Sequence, residues 1–149
     1  MNQLKLFTIG FTKKSAQAFF SLLNSTSAKT LIDVRLNNIS QLAGFAKSKD
    51  LAYFLEEICE MNYLHLPELA PTKDILDDYK KNGGDWEKYE DKFLNLLDQR
   101  AIEKDLEISA INDSCLLCSE HEPHFCHRRL VAEYLNLKWD CEIEIKHLF

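Results

Sequence analysis

Two short apolar runs, Leu4–Gly10 (LKLFTIG) and Thr30–Arg35 (TLIDVR), are separated by one helix-length segment. Strands joined through a single helix pair in parallel, because the crossover returns the chain to the same end of the sheet. The intervening helix, Ala16–Asn24, carries Phe19, Phe20, Leu22 and Leu23 as its core face, with Thr12 or Ser15 as its N-cap. The pattern then recurs. Leu36–Lys47 is irregular. Ser48 reads as an N-cap, and Leu51, Phe54, Leu55, Ile58 and Met61 repeat at helical spacing over Lys49–Met61. Tyr63–Leu66 is a third strand, which Pro67 ends. Pro71–Asn82 predicts a helix broken by Gly83-Gly84, and Asp85 caps a longer one. Its stripe of Trp86, Tyr89, Phe93, Leu96 and Leu97 reads as core packing. The glycine pair either separates two helices or hinges a lid.

Ile108–Asn112 is ambiguous between elements. Cys115–Cys118 is a buried strand, Ser119–Glu122 a polar loop, and Pro123 fits the first turn of the next helix. Trp139–Leu148 alternates polar and apolar side chains, as a half-exposed edge strand does. The order β-α-β-α-β-αα-β-α-β predicts one domain over residues 1–149: a three-layer α/β/α sandwich with a mostly parallel sheet of about five strands.

Composition narrows the function classes. A chain of 149 residues with 46% hydrophobic and 28% charged residues is an ordinary globular sequence. A net charge of −6 argues against coating nucleic acid by phosphate neutralisation alone, yet permits a small basic pocket. No apolar run approaches the ~20 residues that span a bilayer. The start, MNQLKLFTIG, is too quickly polar for a signal peptide. A cytoplasmic protein with reduced thiols is the expectation, although its five cysteines are an odd number.

Ligands of open parallel sheets bind beyond the C-terminal strand ends. That rule gathers Thr8–Thr12, with Thr8 and Gly10 as site candidates, Asp33, Arg35, His65 and Cys118–Arg129 along one edge. Three chemistries suit the corner Cys118–Arg129. Cys126, near a helix start beside His127, Arg128 and Arg129, suits a thiolate nucleophile, with Cys118 as its partner; the alternative is a Cys packed as a small hydrophobe. Cys118, His121, His124, Cys126 and His127 offer donors for zinc, although their spacing matches no standard finger. Arg128 and Arg129, joined by Arg35, suit an anion such as a phosphate. Cys115 and Cys118 fall on opposite faces of a strand, so Cys115 reads as core. Asp33 is either a general base or the salt partner of an arginine. His65 is either a satisfied half-buried residue or a catalytic acid, and His147 has a weaker claim.

The segments TIGFT (Thr8–Thr12), LIDVR (Leu31–Arg35), YLHLPELAP (Tyr63–Pro71) and LLCSEHEPHFCHRRLVAEYL (Leu116–Leu135) resemble the DUF488 family over essentially the whole chain. The resemblance implies an α/β domain. It marks Cys118, Glu120, Cys126, His127 and Arg128 as signature positions, with Asp33 and Arg35 in a DVR motif and His65, Pro67 and Leu69 in an HxPxL motif. The chain departs where the family usually reads TIGHS: Phe11 and Thr12 replace His and Ser. If that His is catalytic in relatives, this protein is inactive, altered, or uses His65 or His127 instead.

The leading expectation is a small enzyme acting on an anionic, nucleotide-like or exposed nucleic-acid-base substrate at the sheet edge. Cys126 would be nucleophile or redox thiol, Asp33 or His127 the proton-transfer group, and Arg35 and Arg128 the anion clamp. The seven-residue gap brings Cys118 and Cys126 within disulfide reach. The alternatives are a phosphate- or nucleic-acid-binding module whose Cys/His corner is structural, with or without zinc, and an adaptor domain. No membrane partner is expected, and the residues leave the oligomeric state open.

Overall fold

The structure is a computed structural model that describes residues 4–37, 44–81, 83–119, 126–139 and 142–149. In chain order its elements are β1 (Leu4–Gly10), α1 (Ala16–Asn24), β2 (Thr30–Asp33), α2 (Ser48–Phe54, continued by a wide turn Leu55–Cys59) and β3 (Asn62–His65). They continue with α3 (Lys73–Lys81), α4 (Trp86–Arg100), the short α5 (Ile102–Asp105) and α6 (Ile108–Ile111), β4 (Ser114–Cys118), α7 (His127–Lys138) and β5 (Ile143–Leu148). The strands form one sheet in the order β3-β2-β4-β1-β5, parallel throughout. The fold is the α/β sandwich that the alternating pattern predicts, and β5 lies at an edge as its alternation requires.

The layers follow from the period-two alternation of strand side chains. Phe7, Ile9, Leu31, Cys115 and Leu117 point to one face, where Phe19, Phe20 and Leu23 of α1 and Leu51 of α2 cover them. Leu4, Leu6, Ile32, Leu116 and Cys118 point to the other, under Tyr89, Phe93 and Leu97 of α4 and Leu130, Val131, Tyr134 and Leu135 of α7. Cys115 and Cys118 therefore do lie on opposite faces.

Right-handed crossovers explain which helix goes where. The chain moves one way across the sheet from β1 to β2 to β3, which puts α1 and α2 on one face. It moves the other way from β3 to β4 and from β4 to β5, which puts α4 and α7 on the opposite face. Neighbouring strands β2 and β4 thus send their outgoing segments to opposite sides, and a crevice opens at their C-terminal ends.

Several boundaries differ from the sequence expectation. Leu51 N–H bonds Lys47 O at 2.7 Å, so Lys47 caps α2 and Ser48 lies one residue inside it. β2 stops at Asp33 because the Asp33 Oδ1 accepts the Arg35 backbone N–H at 3.1 Å, a local bond that bends the chain out of the ladder. β3 runs one residue earlier than expected. Ser15 rather than Thr12 caps α1. Helix α3 starts at Lys73, where Thr72 Oγ1 accepts from Ile75 N–H at 3.3 Å. Ile108–Ile111 resolves as a single helical turn. Helix α7 starts at His127 with Cys126 as an extended N-cap, so the expected start near Pro123 is replaced; Pro123 lies outside the described residues. Trp139 ends α7 rather than opening β5.

The Gly83-Gly84 turn is a separator. Both residues have positive φ, 67° and 79°, and Gly84 N–H bonds Tyr79 O at 2.9 Å. The turn folds α3 back so that Tyr79 meets Trp86 and Tyr89 of α4. Among the described residues, no helix is long and apolar enough to cross a membrane.

Candidate active site

A cavity of about 390 Å³ opens in the crevice between the ends of β2 and β4. Its floor is Cys118 at the end of β4 and Ser119 just after it, with Cys126 and His127 at the head of α7. Arg35, Leu36 and Asn37 after β2 form one side. Tyr79, Lys80, Trp86 and Tyr89 from α3 and α4, with Pro71 and Leu76, form the other.

The imidazole of His127 fixes the chemistry of the floor. Its Nε2 lies 2.6 Å from the Val34 carbonyl oxygen, which can only accept, so in the neutral ring Nε2 carries the proton. The unprotonated Nδ1 then faces the Cys118 sulfur at 3.4 Å and accepts its S–H. Phe93 meets the ring edge-on at 5.5 Å and packs it from the α4 side. Thiol, base and orienting carbonyl therefore stand in series, the arrangement that activates a nucleophile. His127 is the first residue of α7, so the helix dipole also favours negative charge on the thiol.

Cys126 differs from Cys118. Burial pushes its thiol well above the ordinary range, and a hydrogen bond with Cys118 pushes it further the same way. Burial and the bond to Cys118 thus work against the thiolate expected at Cys126. Cys126 is the N-cap of α7, buried and held as a thiol, while Cys118 faces the base.

Asp33 is a salt partner. Its Oδ1 accepts from Arg35 Nε at 2.8 Å and its Oδ2 from Arg35 Nη2 at 2.7 Å, with Tyr63 Oη donating to Oδ2 at 2.6 Å. A carboxylate so occupied, with no exposed surface, has no lone pair to offer a substrate, so the general-base reading of Asp33 gives way. Burial works against the charge of Arg35, but the bonds to Asp33 and its negative charge outweigh it and hold the guanidinium pKa above its ordinary value. Arg35 Nη2 also donates to Ala46 O at 2.7 Å. His65 Nε2 donates to Arg35 O at 2.8 Å, so His65 is the satisfied half-buried residue of the two alternatives and does not line the cavity.

The first strand end serves the same corner. Phe11, standing where the resemblance leads one to expect His, is buried with its ring 5.2 Å from the Arg35 guanidinium carbon. Thr12 bonds Ser119 O through both its backbone N–H (3.1 Å) and its Oγ1 (2.8 Å), tying the two loops together. Gly10 pairs in register with Cys118.

Two expected anion ligands are placed elsewhere. Arg128 is fully buried, with Nε donating to Thr8 Oγ1 at 3.2 Å; Thr8 in turn meets His147 Nδ1 at 2.5 Å. Arg129 binds Glu133 at 2.9 Å and Glu90 at 3.3 Å, bridging α7 to α4. Neither lines the cavity, because one helix step rotates Arg128 inward and Arg129 towards the acids. Glu120, His121 and His124 lie outside the described residues.

The residues able to hold a metal among those described are Cys118, Cys126 and His127, whose donor atoms lie within 4.8 Å of one another. Tyr63, the Val34 carbonyl and the aromatic side of the cavity carried no chemical signature in the sequence. Tyr63 alone had a usable signal, since a tyrosine two residues before His65 falls on the face of β3 that Asp33 occupies on β2.

No curated protein and no solved structure matches the sequence. A family model does match, over residues 15–135, a span that begins just after Thr12 and takes in the DVR, HLPEL and Cys118–Arg128 segments. By that match the chain belongs to DUF488, a domain of unknown function.

Proposed function

We propose that the cavity is a thiol-based active site for an anionic substrate. Cys118 is the nucleophile, His127 takes its proton at Nδ1, and Arg35 supplies the positive charge that holds the substrate. The observation that carries this reading is the 3.4 Å contact between the Cys118 sulfur and an imidazole whose other nitrogen is committed to Val34 O. Cys126 stands beside the nucleophile, and its burial favours the protonated thiol, placed to donate a proton.

Alkylation with iodoacetamide, read by peptide mass spectrometry, tests the assignment. An ordinary thiol with a pKa of ~8.5 is only a few per cent ionised at neutral pH. Cys118 is expected to react about tenfold or more faster than that reference at pH 7, while Cys126 stays unlabelled in the folded protein. A Cys118 that reacts no faster than a free thiol removes the nucleophile.

One observation favours a second reading, a zinc site. Tetrahedral zinc with ligands at about 2.0–2.3 Å sets its donors roughly 3.3–3.8 Å apart. The 3.4 Å separation of Cys118 Sγ and His127 Nδ1 fits that spacing, and a carbonyl on the other imidazole nitrogen is a common outer partner of a zinc ligand. The two readings exclude each other at Cys118. Metal analysis of protein purified without chelator decides between them: close to one equivalent of zinc supports the second, and less than about a tenth of an equivalent removes it.

A further inference from the structure

The cavity that Arg35 lines is also lined by aromatic rings. Tyr79, Trp86 and Tyr89 pack on one another, with centroids 4.8 Å apart for the stacked Trp86–Tyr89 pair, 5.1 Å for Tyr79–Tyr89 and 6.0 Å for Tyr79–Trp86. The group exists because the Gly83-Gly84 turn brings the end of α3 against the start of α4.

Arg35, on the same lining, is 3% exposed and its guanidinium is held in place. Asp33 holds Nε and Nη2, Ala46 O holds Nη2 again, and the guanidinium carbon lies over the Phe11 ring. The remaining nitrogen, Nη1, is buried and has no hydrogen-bond partner among the described residues. A buried donor left unpaired costs the fold free energy, and such a group at a cavity calls for an acceptor from outside the chain. Lys80, exposed on the same cavity lining, adds a second positive charge in a chain whose net charge is −6.

From this juxtaposition we infer that the cavity selects an oxyanion carried on a flat aromatic body. The oxyanion pairs with Arg35 Nη1 and the ring lies along the Trp86–Tyr79 side. This rests on the proposed site and names its substrate class. Simple aryl phosphates and nucleotides share that chemistry, and ring size separates them.

Two ligands that differ only in the ring test it. Methylphosphonate and phenylphosphonate carry the same anionic group and no ester to cleave. Binding is read as the shift in Tm of the full chain over a concentration series. Phenylphosphonate is expected to bind about tenfold tighter than methylphosphonate, the usual gain from one stacked ring. In Trp86→Leu the ratio of the two affinities falls to less than about threefold. Adenosine 5′-monophosphate identifies the source: tighter binding than phenylphosphonate assigns nucleotides, weaker binding assigns simple aryl anions.

Equal binding of the two phosphonates to the unaltered protein overturns the inference, and so does no shift with either at millimolar concentration. Neither result depends on a variant folding. Rapid alkylation of Cys118 without any ring preference leaves the thiol site standing and removes this inference. A clear ring preference over an inert thiol does the reverse.

Discussion

Asp33→Ala is expected to destabilise the protein by about 3–5 kcal/mol, because it strands a guanidinium that the fold has already stripped of water. Arg35 is 3% exposed, and Asp33 is fully buried with four hydrogen bonds on its two oxygens. Removing the carboxylate leaves Nε without its partner and Nη2 with only the Ala46 carbonyl, beside a Tyr63 hydroxyl that has lost its acceptor. Urea unfolding of the two proteins measures the cost directly. The double variant Asp33→Ala with Arg35→Met is expected to recover part of the loss, since no charge is then left stranded. A single-variant cost below about 1 kcal/mol would mean that water reaches the guanidinium, and the pair would no longer define a rigid cavity edge.

The second large effect is kinetic. His127→Gln is expected to slow alkylation of Cys118 at pH 7 by about tenfold or more, because the sulfur loses the base that faces it. With His127 present, the rate is expected to depend less steeply on pH, because Nδ1 stands where it can take the thiol proton. Without it, the rate climbs about tenfold per pH unit until the thiol's own pKa is passed. Stopped alkylation over pH 6–9 with a mass readout gives both curves. Superimposable curves would show that Nδ1 takes no part in ionising the sulfur.

Much of the architecture was legible because hydrophobic periodicity reports burial, and burial decides which layer an element joins. The runs LKLFTIG, TLIDVR and SCLLC are strands covered on both faces, which is why they read as nearly continuous apolar segments. Residues 143–148 alternate because one side of an edge strand meets solvent. Boundaries were less legible where a polar side chain intervened. Asp33 ends β2 through a bond to the backbone two residues on, and nothing in the apolar pattern announces it.

The site was legible as a place and illegible as a set of roles. Cys118 and Cys126 are both buried cysteines near the head of α7, and only the position of the Val34 carbonyl decides which of them faces an imidazole lone pair. Arg128 and Arg129 are identical as letters. One helix step of about 100° separates a fully buried guanidinium on Thr8 from one held between Glu90 and Glu133. Arg35 kept its expected place at the cavity because the strand end itself puts it there. The aromatic side escaped notice because a Trp/Tyr/Phe stripe on α4 is core along most of its length and lines the cavity only at its first turn.

Residues 33–35 hand their neighbours two instructions at once. The side chains of Asp33 and Arg35 close a buried ion pair at the crevice, while the peptide oxygen of Val34 between them dictates on which nitrogen the neutral imidazole keeps its hydrogen. Mutational tolerance at this tripeptide is therefore narrower than any one of its contacts demands. A change at Tyr63, remote from the sulfur in sequence, is expected to loosen the Asp33–Arg35 pair and, through the Val34 carbonyl between them, to register as altered labelling of Cys118.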